Sequence, residues 1–257
     1  MNNKYLTAEG VENPAADIGV SFPGRSSLSW VKRLKGIGTP AVTQTTYFSI
    51  ADIQANITVG TSLGVEWIFY DLEAGLSPPE EVDNPIDSIN RAAAIVHGAG
   101  MKFSFTVVNV GGHPCEIIPH VVGNADAYNP QRQEFLRQGS GVYARAVGEV
   151  MVLAKQHYPR LRLWAQLSIL QAIVETNQLA LQELVAYLGQ YGYRLDAVTV
   201  FYGLDSTHIP LLDRFYRWFT EHYHGSVDPY NVQNIDGAYR FDSDTCRRVP
   251  DLLFASP

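Results

Sequence analysis

The feature that most restricts this chain is a repeated switch in hydrophobic period, from two to 3.6 and back. Six short strand-like runs stand out: AVTQTTYF (41–48), WIFYDLE (67–73), KFSFTVV (102–108), ADAYNP (125–130), RLWAQLSI (162–169) and AVTVFYG (197–203). DIGVSF (17–22) reads as a first strand and DLLFA (251–255) as a weak last one. Helical patterns lie between them. Residues 49–64 offer Ser49 as N-cap and Gly64 as C-cap, and residues 84–100 place Pro85 near a start and Gly100 past an end. Longer amphipathic stretches occupy 141–159, 171–192 and 209–225.

Strands alternating with helices of this length imply βαβ units and a parallel sheet. Eight candidate strands in 257 residues fit a (β/α)8 TIM-like barrel. The expectation is one domain over 1–257, irregular at 1–16 and 225–250. An open doubly wound sheet usually carries a Gly-rich first turn, and neither G-x-G-x-x-G nor G-x-x-x-x-G-K-[ST] occurs. VGGHP (110–114) follows a strand and reads as opening no helix, while SPPEEVDNP (77–85) reads as a loop.

Composition narrows the function classes. Hydrophobic residues make up 46% and charged residues 18%, enough for a sizeable core and too few charges for a disordered chain. A net charge of −7 argues against nucleic acid and anionic membrane as partners. No apolar run approaches the ~20 residues that span a bilayer. The start, MNNKYLTAEG, has no basic and apolar leader pattern, so a cytoplasmic location is expected. The two cysteines, Cys115 and Cys246, are far apart and are expected as reduced thiols.

The run at 67–73 ends in two acids. Alternation along a strand puts Trp67, Phe69, Asp71 and Glu73 on one face, and Ile68, Tyr70 and Leu72 on the other. Carboxylates facing a helix layer would be costly, so the acids are expected inward, at the C-terminal rim where barrel active sites lie. Two close carboxyls can divide labour: one keeps a proton near neutral pH, the other stays an anion. Glu73, nearer the mouth, is expected to be the general acid, and Asp71 the stabilising anion. The bland alternative is a rim salt bridge to Arg132.

The same parity test proposes substrate contacts. Gln44 lies mid-strand. Asn109 is in phase with Phe103 and Phe105, and Gln166 with Trp164 and Ser168. Tyr128 and Tyr202 lie in or just after strand runs. Gln166 serves a polar interior equally well, and Tyr202 the core. His113, in GGHPCE, is a candidate contact, with loop packing as the simpler role for it and Cys115. His97 sits where a helix C-terminus would use it. Phe103, Phe105, Trp164 and Phe201 are expected as barrel core. No H-E-x-x-H or paired C-x-x-C occurs, so neither metal nor other cofactor is expected. A metal-dependent variant would have to draw on Asp71, Glu73 and Asp126.

The stretch WIFYDLEAGLSPPEEVDNPIDSINRAAAIVHGAGMKFSFTV, with ADAYNPQRQEF and YARAVGEV after it, resembles a group of bacterial TIM-barrel proteins of glycosidase-like type. The shared look is a YD-x-E strand end, a Pro- and acid-rich loop, then a helix ending H-x-AG before a strand, over roughly 65–205. The strand end is also similar to the close of the chitinase D-x-x-D-x-D-x-E motif, with only Asp71 and Glu73 matching. The resemblance implies a barrel and a hydrolase acting on a small-molecule or carbohydrate substrate. The alternatives are a biosynthetic lyase, isomerase or cyclase working through a cationic transition state, and a non-catalytic ligand-binding barrel. The oligomeric state is left open.

Overall fold

The structure, a computed structural model, describes residues 20–23, 43–201 and 206–223. Seven strands run in chain order: β1 (Val20–Pro23), β2 (Thr43–Tyr47), β3 (Trp67–Glu73), β4 (Lys102–Val108), β5 (Ala127–Tyr128), β6 (Arg162–Ser168) and β7 (Ala197–Phe201). Each pairs with the next in parallel, and together they make one sheet of order β1-β2-β3-β4-β5-β6-β7. Among the described residues seven α-helices accompany them: α1 (Ile50–Ser62), α2 (Pro79–Asp83), α3 (Pro85–Gly98), α4 (Pro114–Val121), α5 (Ser140–His157), α6 (Val174–Gly189) and α7 (Ile209–Tyr223). None of the described helices is long and apolar enough to cross a membrane.

This corrects the expectation of a closed eight-stranded barrel. Among the described residues the parallel sheet is open, and β1 and β7 are its edges. The winding is barrel-like without closure. Hydrophobic period reports βα units, and those units serve an open, singly wound sheet as well as a closed one. The eighth strand was assigned to 251–255, which lies outside the described residues, as do the stretches expected to be irregular. Two smaller expectations also change. The 77–85 loop contains α2, and VGGHP leads directly into α4, which starts at Pro114.

Sequential strand order with crossovers of one hand places the described helices on one face of the sheet. The core obeys this. Tyr47, Ile68, Tyr70, Leu72, Phe103, Phe105, Tyr128, Leu163, Ala165 and Val200 share one apolar cluster with Ile89, Val96, Val147, Met151, Leu181 and Leu184 of the helices. Phe103 and Phe105 therefore pack under the helices and not inside a barrel. Gly148 of α5 lies so close to α6 that a Cβ there would meet the Tyr187 ring at 2.3 Å. The opposite face holds a separate small cluster of Trp67, Ala127 and Trp164. The two indoles lie 4.6 Å apart, and Lys102 Nζ and the Arg162 guanidinium carbon sit 5.3 and 5.7 Å from the Trp67 ring centre. Cations stacked on an aromatic face close the N-terminal end of that surface.

One buried carboxylate ties the sheet to the helices. Glu81 of α2 accepts from the Ile50 N–H at 3.1 Å, at the start of α1, and from the Tyr70 hydroxyl at 2.5 Å. Ser49 caps the same helix, accepting from Asp52 N–H at 3.1 Å. Tyr70 and Glu81 thus join the two parts of the sequence signature, the YD-x-E strand end and the acid-rich loop.

Candidate active site at the C-terminal strand ends

β3 carries the acids on the face away from the helices, since Ile68, Tyr70 and Leu72 occupy the other. A tight return fixes the strand end. Ser77 and Leu76 N–H groups donate to Glu73 O at 2.8 and 3.1 Å, and Glu73 N–H donates to Ser77 Oγ at 3.0 Å. Gly75 sits at φ +87, a conformation that favours glycine, which accounts for the AGLS sequence after the acids.

Asp71 is 7% exposed. Its Oδ2 accepts from Gln131 Nε2 at 3.0 Å, and its Oδ1 is buried with no hydrogen-bond partner among the described residues. Burial pushes its carboxyl up to about 7; the Gln131 hydrogen bond opposes this and the Glu73 charge adds to it. Glu73 is less buried and also raised, by burial first and then by the charge of Glu134. Desolvation, more than mutual repulsion, therefore perturbs this pair. The rim salt bridge to Arg132 is not formed: the ion pair Arg132 makes is with Glu134, at 3.9 Å.

A polar row runs from Asp71 across the sheet. Asp71 pairs with Thr106 on β4. Thr106 Oγ1 accepts from the Gln131 N–H at 3.1 Å, so Gln131 clips both neighbours. Asn129 follows β5, donates its N–H to Phe105 O at 3.1 Å and its Nδ2 to Gln166 Oε1 on β6 at 3.3 Å. Asn129 is 1% exposed, and its Oδ1 has no partner among the described residues. Two buried oxygens without partners on one row, one of them on a carboxyl that can hold a proton, suit a ligand that brings hydroxyl groups.

The residues expected at the site divide accordingly. Asp71, Glu73 and Gln166 share this row and face. Gln44 is on the same face but pairs with Trp67, at the N-terminal end and two pleats below Asp71. Tyr128 is 2% exposed, 5.0 Å from Phe105 under the helices, and its hydroxyl is pushed up to about 12 by burial. Asn109 is exposed and follows β4 at φ +51, which Asn tolerates better than most residues; backbone geometry accounts for it. His113 is the N-cap of α4: its Nδ1 accepts from Cys115 N–H at 3.2 Å, and Glu116 accepts in return from His113 N–H. Burial, then the Arg132 charge, lowers its pKa and favours the neutral ring that can accept. Tyr202 lies outside the described residues. Cys115 is disulfide-bonded, against the expectation of a reduced thiol.

The structure adds Gln131, Asn129, Thr106, Arg132 and Glu134 to the site. Four of them follow from YNPQRQE, where consecutive polar side chains after a short strand were the available signal. Asp126 belongs elsewhere. It binds Phe103 N–H and His97 Nε2 at 2.8 and 2.9 Å, by the N-terminal ends of β4 and β5, so it cannot complete a metal set with Asp71 and Glu73. Among the described residues no three His, Cys, Asp or Glu side chains group as a metal site requires.

No protein-family model matches the chain, and no curated protein matches it. The fold class is α/β with a barrel-like, open parallel sheet.

Proposed function

We propose that this chain is an enzyme that uses Asp71 and Glu73 for acid–base and cation-stabilising chemistry, with glycoside hydrolysis as the reaction and a carbohydrate as substrate. The observation that supports it most is the buried Asp71 carboxyl, held up to about 7, with Oδ1 unpartnered and Glu73 beside it on the same face. Because Asp71 is the more deeply buried, this reading assigns the two roles the other way round from the expectation of the sequence. Asp71 keeps the proton, and Glu73, the more exposed, is the anion.

Asp71 gives its proton to the glycosidic oxygen as the C–O bond breaks and the bonding pair leaves with that oxygen. Glu73 stabilises the oxocarbenium-like carbon and takes a proton from the water that adds to it. Asn129 and Gln166 hold ring hydroxyls. A lyase or cyclase acting through a cationic transition state is the second reading, favoured by Phe69, one pleat below Asp71 on the same face.

A panel of 4-nitrophenyl glycosides tests the proposal. Turnover of at least one is expected, with Asp71→Asn and Glu73→Gln each slower by on the order of 10²-fold or more while circular dichroism stays unchanged. Near-full turnover by both folded variants reduces the pair to a structural feature. Product without oxygen from labelled water selects the lyase or cyclase.

A further inference from the structure

Arg132 is 8% exposed, yet its guanidinium makes no hydrogen bond to any described residue. Its ion pair is the long one to Glu134, Nη1 to Oε1 at 3.9 Å. No Arg132 nitrogen is both fully buried and unpartnered, so the planar fork of five N–H donors keeps a narrow opening to solvent while the rest of the side chain is covered. Burying a cation this way is costly unless an anion meets it. A bidentate carboxylate or phosphate is the partner whose shape fits the fork.

The position ties this group to the site. Arg132 directly follows Gln131, whose side chain binds Asp71 and whose N–H binds Thr106. On its other side stands Glu134, the acid whose charge acts on Glu73. Arg132 is therefore one charged neighbour away from the acid pair, on the chain segment that positions it. Glu134 is a poor permanent partner. Its side chain is about half exposed to solvent, and 3.9 Å lies beyond hydrogen-bonding reach.

We infer that Arg132 receives an anionic substituent of the substrate, so that the site selects sugars bearing a carboxylate or a phosphate over neutral ones. This rests on the glycoside-hydrolysing reading for the identity of the ligand, and on Arg132 alone for its charge. Neutral hydroxyls would then meet Asp71 and Asn129, while the charged group docks against the fork.

Calorimetric titration of the full chain with D-glucuronate, D-glucose 6-phosphate, inorganic phosphate and D-glucose tests it directly. One anionic sugar is expected to bind at least ~10-fold more tightly than glucose, as loss of a charged contact worth a factor of ten implies. Glucuronate against glucose 6-phosphate tells carboxylate from phosphate, and inorganic phosphate shows whether the phosphate is recognised without its sugar. Arg132→Gln should abolish the preference, and Arg132→Lys, which keeps the charge and loses the fork, should reduce it. With a matching acidic glycoside, Arg132→Gln should raise KM by a similar factor and change kcat little. Equal affinity of the wild type for glucose and both anionic sugars overturns the inference whatever the variants do, and so does a preference that survives in folded Arg132→Gln. Turnover of neutral glycosides with no anionic preference removes the inference and keeps the hydrolase. An anionic preference with no glycoside turnover removes the hydrolase and keeps Arg132 as the anion contact.

Discussion

Gln131 Nε2 reaches Asp71 Oδ2 at 3.0 Å across 60 positions of the chain. It is the hydrogen bond that restrains the upward pull of burial on this carboxyl. Because it donates to the charged form, its loss favours the proton. Gln131→Ala should therefore move the Asp71 titration above its starting value of about 7, seen by carbon NMR of labelled aspartate. In an enzyme that needs Asp71 protonated, the alkaline limb of the rate profile should move up with it. A titration that stays put or falls contradicts the assignment.

Asp71 also sets a pH dependence of stability. Its pKa rises on folding, from 3.8 to about 7, so the native state holds the proton more tightly than the unfolded chain. Its stabilisation is complete below the unfolded value and is lost as pH climbs through the folded one. Asp71→Asn should match the wild type near pH 4 and exceed it by roughly 2–4 kcal/mol at pH 8, judged from denaturant midpoints. A variant less stable than wild type at pH 8 would show that the ionised carboxylate has a partner here.

Glu81 should be a stability hot spot with no catalytic part. Tyr70→Phe removes one donor and leaves the carboxylate on the α1 N-terminus, at a cost of about 1–3 kcal/mol. Glu81→Ala should cost more, since it strips the Ile50 N–H as well. Thermal melts read both, and in Tyr70→Phe any surviving turnover should keep its pH profile.

Gly148→Ala should destabilise by about 1–3 kcal/mol or more, because the added methyl lands on the Tyr187 ring and α5 and α6 must part. The double variant with Tyr187→Leu should recover part of that loss. No recovery would place the strain elsewhere.

The βα order and the face of β3 were legible because period and parity are local properties. Residues 67–73 and 102–108 form strands with the expected bounds, and Ser49 caps α1 as expected. Closure was not legible, since it depends on two edges meeting and no local pattern encodes that. Parity alone placed Gln44 with the site; its level along the strand, set by pairing with Trp67, puts it at the other end. Asn109 and His113 look like binding residues in a one-dimensional reading because turns and caps favour the same polar types as sites do. Gln131 was hidden for the opposite reason: its partner is 60 residues away and the strand before it is only Ala127–Tyr128.

β3 interleaves two sets of obligations. Tyr70 and Leu72 answer to the helices, Asp71 and Glu73 to whatever enters from above. Loss or gain of a single residue between 67 and 71 would exchange the two sets and send both carboxylates into the apolar layer. This segment can drift by point substitution within either set, but insertions and deletions are closed to it. Length variation among descendants of such a chain should therefore collect in the turn after Glu73 and in the loops beyond the strand ends, where new specificities can arise without disturbing the acids.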